Sequence, residues 1–202
     1  GRGVPRGGLT PTTPHPPTYT ERSTTMDIPG CCRQFPTLAP LIEYLGGLSS
    51  RANLHTLEEL LRKTPVTREQ IAPAVVFGTK GYRRNTIART DWFELLALCW
   101  RSGHCTPIHD HQGVSCAFKV VEGHGTEIRF KPTASGLLCP ACVNDMPPGY
   151  VCSADDADIH QIANMQSPGT DLITLHIYSP PITHMNTYQL AVPCTAEAGA
   201  VY

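Results

Sequence analysis

In the stretch HCTPIHDHQGVSC, which runs from His104 to Cys116, His109 and His111 are separated by one residue. Side chains alternate in direction along an extended chain, so these two rings share a face. Each neutral imidazole offers a nitrogen lone pair, and two on one face begin a divalent-metal site. A chance pair of surface histidines is the plain alternative. A third candidate, His160, lies in the later apolar run DIHQIAN, four residues before Asn164. Cys116 follows His111 by five residues, where a metal-binding barrel often supplies a carboxylate. That thiol is open to three readings: a ligand, a buried residue that packs like an apolar group, or something less ordinary.

Two further runs carry chemistry-bearing residues. In DLITLHIYSPP, Thr174, His176 and Tyr178 sit at alternate positions and would face one way on a strand. In KGYRRNTI, Tyr82 precedes Arg83 and Arg84. A guanidinium can hold a carboxylate bidentately, but consecutive strand side chains point oppositely, so only one of the two arginines can serve a given pocket. Outside a motif, such arginines and a late-strand tyrosine are more often surface and core residues. Cys139 and Cys142 form a CxxC with no second pair at zinc-site spacing, and read as thiols of a loop or edge strand. Cys31 and Cys32 have no assigned role. His55, His104, His124 and His184 read as structural or exposed, and Met185 as a pocket-lining or packing residue.

These residues need elements to hold them. After Lys80 the chain breaks into short apolar or alternating runs: DWFELLALCW, SCAFKVVEG, GTEIRFKP, YVCSA, DIHQIAN and DLITLHIYSP. Turn residues separate them, the pattern of an antiparallel sandwich or barrel. A hairpin at Gly123–Gly125 is expected between the second and third. Before that, TLAPLIEYLGG, TLEELLRKTP and TREQIAPAVV have helical spacing. Their signals are a terminal glycine pair, a candidate cap at Thr56 and a capping-box pattern from Thr67 to Gln70. Residues 1–25 are rich in Gly, Pro and Thr, cannot bury enough apolar surface to offset ordering, and are expected to form a disordered tail that includes His15.

Composition narrows the function classes. The 202 residues carry a net charge of −1 with mixed signs, which argues against nucleic acid or a membrane surface as partner. No apolar run approaches the roughly 18 residues of a membrane helix. The N-terminal stretch has arginines without an apolar segment, and the nine cysteines are irregularly spaced. A cytoplasmic setting with free thiols is the expectation.

Gly103, His109, His111 and Gly123 resemble the first motif of the cupin barrel, with Cys116 at its glutamate position. Pro148, Gly149, His160 and Asn164 are similar to the second motif, with Gly149 and His160 unusually far apart. Taken with LHIYSPP, the segment CWRSGHCTPIHDHQGVSCAFKVVEG resembles the cysteine dioxygenase family, the thiol dioxygenase branch of the cupins. The resemblance runs from about Gly30 to Tyr188. It implies a mainly β fold, a jelly-roll-like antiparallel β-barrel with a small N-terminal helical subdomain. The expected division is a single domain over residues 26–202, helical over 26–78 and barrel over 79–202.

The same resemblance implies iron(II) on His109, His111 and His160, and a thioether between Cys116 and Tyr178. Bacterial relatives often have glycine at the Cys116 position. Thr174, His176 and Tyr178 match the family's Ser-x-His-x-Tyr array, in which His176 orients the phenol. A cis peptide at Ser179–Pro180 goes with that motif. Arg84 matches the arginine that holds the substrate carboxylate, and Tyr82 a tyrosine that assists. Relatives that oxidise mercaptopropionate carry glutamine at the Arg84 position, so L-cysteine is the expected substrate, with O2 as co-substrate and cysteine sulfinate as product. A monomer is expected. The chemistry is consistent: three neutral imidazoles leave a divalent metal its full charge and open positions for a chelating aminothiol and O2. Nitrogen ligands suit iron but also zinc, copper and nickel. Two alternatives stand: a dioxygenase of 3-mercaptopropionate or cysteamine, and a non-catalytic metal-binding cupin.

Overall fold

The computed structural model describes residues 26–111, 113–134, 137–154, 158–183 and 185–190. The expected tail with His15, and His184, lie outside the described residues.

Three helices open the described chain: α1 (Ile28–Gln34), α2 (Ala39–Gly46) and α3 (Leu54–Lys63). α1 has no apolar period in sequence. It begins with a proline in its first turn, where no backbone donor is required. α3 is capped by Asn53, whose Oδ1 accepts from the Thr56 N–H at 3.1 Å. Thr56, expected as the cap, instead lies inside the helix. The third expected helix is a 3-10 stretch over Glu69–Ala74, kinked at Ile71 with Pro73 inside it. The Thr67 N–H does donate to Gln70 Oε1 at 2.9 Å, but the proline stops a regular α-helix from following.

The strands are β1 (Arg83–Arg89), β2 (Glu94–Trp100), β3 (Ile108–His109), β4 (Ser115–Glu122), β5 (Gly125–Pro132), β6 (Leu138–Met146), β7 (Val151–Ala154), β8 (Ile159–Ala163), β9 (Leu172–Ser179) and β10 (Thr187–Tyr188). They form two antiparallel sheets, ordered β1-β2-β9-β4-β7 and β10-β3-β8-β5-β6. The mainly β, jelly-roll-like architecture with N-terminal helices is therefore present. It is an open double sheet rather than a closed barrel.

The first sheet is buried on both faces, which explains why β2 and β9 read as continuous apolar runs. Leu95, Ala97 and Cys99 share one core with Ile42, Leu45, Leu57 and Leu61 of the helical layer. Leu96, Leu98 and Trp100 face the other way and share a second core with Met146 and Ile162 of the opposite sheet. Each large apolar side chain so buried contributes about 1.5–3 kcal/mol relative to exposure.

The expected hairpin at Gly123 does not form. β4 pairs with β7 and β9, whereas β5 pairs with β6 and β8, so the chain crosses between sheets there. Gly123 makes the crossing with φ of +78°, and a Cβ would stand 2.2 Å from the Asp171 carbonyl oxygen. Among the described residues, no helix is long and apolar enough to cross a membrane.

Candidate metal centre and substrate pocket

His109 and His160 are directly opposed in the β3–β8 pairing. His111 follows His109 by one alternation and turns its ring to the same side. The three ring centroids are 4.8–4.9 Å apart. One nitrogen from each ring lies within 4.8 Å of the others, and all three residues are buried. Asp110, between the first two, faces away: its carboxylate accepts from Asn186 Nδ2 at 2.9 Å and from the Tyr188 hydroxyl at 2.8 Å. That contact ties β10 to β3 and brings Met185 to the pocket wall.

The hydrogen bonds fix which nitrogens face inward. The carbonyl of Pro107 can only accept, so the His109 Nδ1 at 3.0 Å carries the proton and Nε2 keeps its lone pair. Glu127 Oε1 lies 2.8 Å from His160 Nδ1 and imposes the same tautomer. His160 Nε2 and His111 Nδ1 are buried with no hydrogen-bond partner among the described residues. Unpartnered buried nitrogens are costly unless something electrophilic meets them. Burial, and secondly the neighbouring His160, lowers His109 to about 4. Burial, then His160 and His109, lowers His111 to about 2. Both rings are thus neutral at neutral pH and keep a nitrogen lone pair, the state a metal requires. The residues present fit a divalent ion with nitrogen preference.

Glu127 is absent from the sequence reading. It is fully buried, and it also accepts from Arg129 Nε at 3.0 Å and Asn144 Nδ2 at 2.8 Å. Burial pushes its carboxyl upward, but the hydrogen bonds from His160, Asn144 and Arg129 prevail and hold it at about 2.

Across the pocket, Cys116 on β4 is the cross-strand partner of Tyr178 on β9. Its thiol hydrogen-bonds with Tyr178, and burial pushes it well up, so it stays protonated. Among the described residues the cluster able to hold a metal comprises the three histidines without Cys116. Burial, and secondly Cys116, also raises Tyr178.

Behind the phenol runs a chain of hydrogen bonds. The Trp100 indole N–H donates to Thr174 Oγ1 at 3.1 Å. Thr174 Oγ1 is 2.9 Å from His176 Nε2, and His176 Nδ1 is 3.2 Å from the Tyr178 hydroxyl. When the Thr174 hydroxyl donates to Nε2, His176 donates from Nδ1 to the phenol oxygen and the phenol hydrogen is left to the pocket. Burial, then the Arg84 charge, lowers His176 and keeps it neutral. The Ser179–Pro180 peptide is cis.

Arg84 lines the same pocket, its guanidinium 5.2 Å from the Tyr178 ring centroid. Its Nη2 donates to Glu94 Oε2 at 3.2 Å, a buried carboxylate that the sequence reading did not single out. Arg83 points outward and is exposed. Tyr82 stacks on Trp100 at 4.3 Å and reaches the pocket beside Arg84. Cys139 and Cys142 are exposed on β6, an edge strand remote from the histidines in the sheet order. His55 and His124 are exposed. His104 accepts from the Arg101 N–H at its loop.

A family model described as Cysteine dioxygenase type I matches residues 34–191. Cysteine dioxygenase type 1 of Danio rerio is 26% identical over 166 residues, spanning 75% of this chain and 79% of that protein. The Homo sapiens protein of the same name is 27% identical over 153 residues, spanning 72% of this chain and 75% of that one. Among solved structures, a Klebsiella pneumoniae protein with a double-stranded beta-helix domain has 14% identity and a TM-score of 0.46, over 58% of this chain and 93% of that one.

Proposed function

The chain belongs to the cysteine dioxygenase type I family, and from that premise we propose that it oxidises the thiol of L-cysteine with O2, using iron(II) held by His109, His111 and His160. Both oxygen atoms enter the sulfur, the S–H proton is released, and cysteine sulfinate is the product. Bound iron(II) supplies the redox chemistry that lets O2 react with a thiolate. The observation that carries the reading is the convergence of three buried imidazoles, with Nε2 of His109 and His160 set inward by their outer hydrogen bonds.

The remaining roles belong to the chain's own side chains. Arg84 receives the substrate carboxylate, with Tyr82 beside it. The Tyr178 hydroxyl, oriented by His176 and Thr174, donates toward the bound substrate and fixes its placement. The Cys116 sulfur forms a thioether to the Tyr178 ring: the S–H and one ring C–H bond are lost, O2 takes up the two hydrogens with their electrons, and the phenol is locked. A monomeric, cytoplasmic protein is part of the same reading.

The test is anaerobic loading with ferrous iron, followed by O2 uptake and sulfinate analysis with L-cysteine, 3-mercaptopropionate and cysteamine. L-Cysteine is expected to react best, with one sulfinate formed per O2 consumed. Intact mass should show a fraction lighter by two hydrogens. No uptake with any thiol at full iron loading would leave only a non-catalytic metal binder.

A further inference from the structure

Cys116 stands where the first cupin motif carries a glutamate, so the candidate centre has no carboxylate among its three histidines. The structure supplies one a single ring further out. Glu127 lies on β5, and its strand neighbours place it beside β8, which carries His160. Its Oε1 is 2.8 Å from His160 Nδ1. Arg129 Nε and Asn144 Nδ2 hold its Oε2 at 3.0 and 2.8 Å. Both oxygens are therefore fixed, and the carboxylate cannot rotate without losing a charge-assisted bond.

A purely structural reading of Glu127 is poor. Taking a carboxylate fully out of water is costly, and pairing with the half-buried Arg129 offsets only part of that cost. An apolar side chain would serve β5 as well. What an apolar side chain could not do is fix a ring. Without an acceptor at Nδ1, His160 could place its proton on Nε2 and direct a donor, rather than a lone pair, at the centre.

We propose that Glu127 is a positioning residue for the metal. Clamped by Arg129 and Asn144, it locks the His160 tautomer and ring angle, and it passes negative charge through the imidazole to a centre otherwise surrounded by neutral ligands. The proposal rests on the metal-centre reading above. Partners of this kind strengthen metal binding by raising ligand basicity, and their loss typically weakens it 10- to 100-fold.

Glu127→Gln keeps the shape and removes the charge. Its amide also sets donor against donor at Arg129, Asn144 or His160, so the tautomer is no longer enforced. Ferrous iron affinity, measured anaerobically by chelator competition, is expected to fall about 10- to 100-fold. In metal-free protein with nitrogen-labelled histidine, the His160 Nδ1–H resonance should shift or vanish. Wild-type affinity together with an unchanged His160 resonance in E127Q would overturn the role of Glu127 while leaving the triad intact. If wild-type protein bound no ferrous iron, both readings would fall. Should E127Q not fold, Arg129→Gln decides: it keeps the carboxylate but loosens its clamp. A several-fold loss of iron affinity supports the proposal, and no loss overturns it.

Discussion

Arg84 illustrates what a single side chain must do in this pocket. It enters from β1 with its guanidinium over the Tyr178 ring, and one of its nitrogens is engaged by Glu94. The guanidinium lines the pocket, where its planar fork of donors matches a carboxylate bidentately. Hydrogen bonds to charged groups are worth about 1.5–3 kcal/mol each. Arg84→Ala should therefore raise KM for L-cysteine by roughly 10- to 100-fold, with a smaller change in kcat. Cysteamine lacks the carboxylate, and its KM should not move. Steady-state kinetics on both thiols separates the two. A parallel loss for cysteamine would mean that Arg84 shapes the pocket rather than binding the carboxylate.

At the scale of elements, the strand that carries Cys116 depends on a helix. Lys119 on β4 reaches across to the end of α3, where its ammonium donates to the carbonyls of Leu61 at 3.2 Å and Thr64 at 2.7 Å. Carbonyls at a helix C-terminus lack intrahelical partners and attract cations. Lys119→Met should cost about 1–3 kcal/mol in urea unfolding and leave KM for cysteine unchanged. An unaltered midpoint would show that the tie is idle. How far these elements could be read in sequence varied with the physics behind each signal. β2 and β9 were legible because both faces are buried, and the HDH pair because alternation puts its rings together. Glu127 was not, because alternation in GTEIRFKP suggests that Ile128 faces inward, whereas the buried phase is Gly125 and Glu127. The Gly123 crossing was hidden for a related reason: two short strands joined by glycines look like a hairpin whether or not they share a sheet. Asn53 was passed over as a cap because Thr56, also a capping residue type, stands directly before the denser apolar run LEELL. The pairings that depended on two strands meeting, His160 opposite His109 and Cys116 opposite Tyr178, were suggested by motif resemblance and not by spacing.

For the molecule as a whole, burying uncharged histidines links folding to pH. In the unfolded chain a histidine titrates near 6.5, whereas burial lowers His109 to about 4 and His111 to about 2 in the folded state. Above 6.5 both states are neutral and the difference costs nothing. As pH falls below 6.5 the unfolded chain takes up protons that the folded chain cannot, so stability falls, through about 4 for His109 and further for His111. Glu127 acts in a separate window. Its folded value is held at about 2 against an ordinary 4.5, so its contribution is complete above 4.5 and is lost only as pH drops beneath that. Between pH 6.5 and 5 the loss therefore belongs to the histidines. Urea midpoints of metal-free protein should decline steadily across that interval, and His111→Asn should flatten the decline. Metal works in the same direction as high pH, since it binds only the neutral rings. The gain in midpoint on adding ferrous iron should accordingly shrink as pH falls from 7 to 5. A pH-independent midpoint in both forms would mean that His109 and His111 are not held neutral by the fold, and the case for a preformed metal site would go with it.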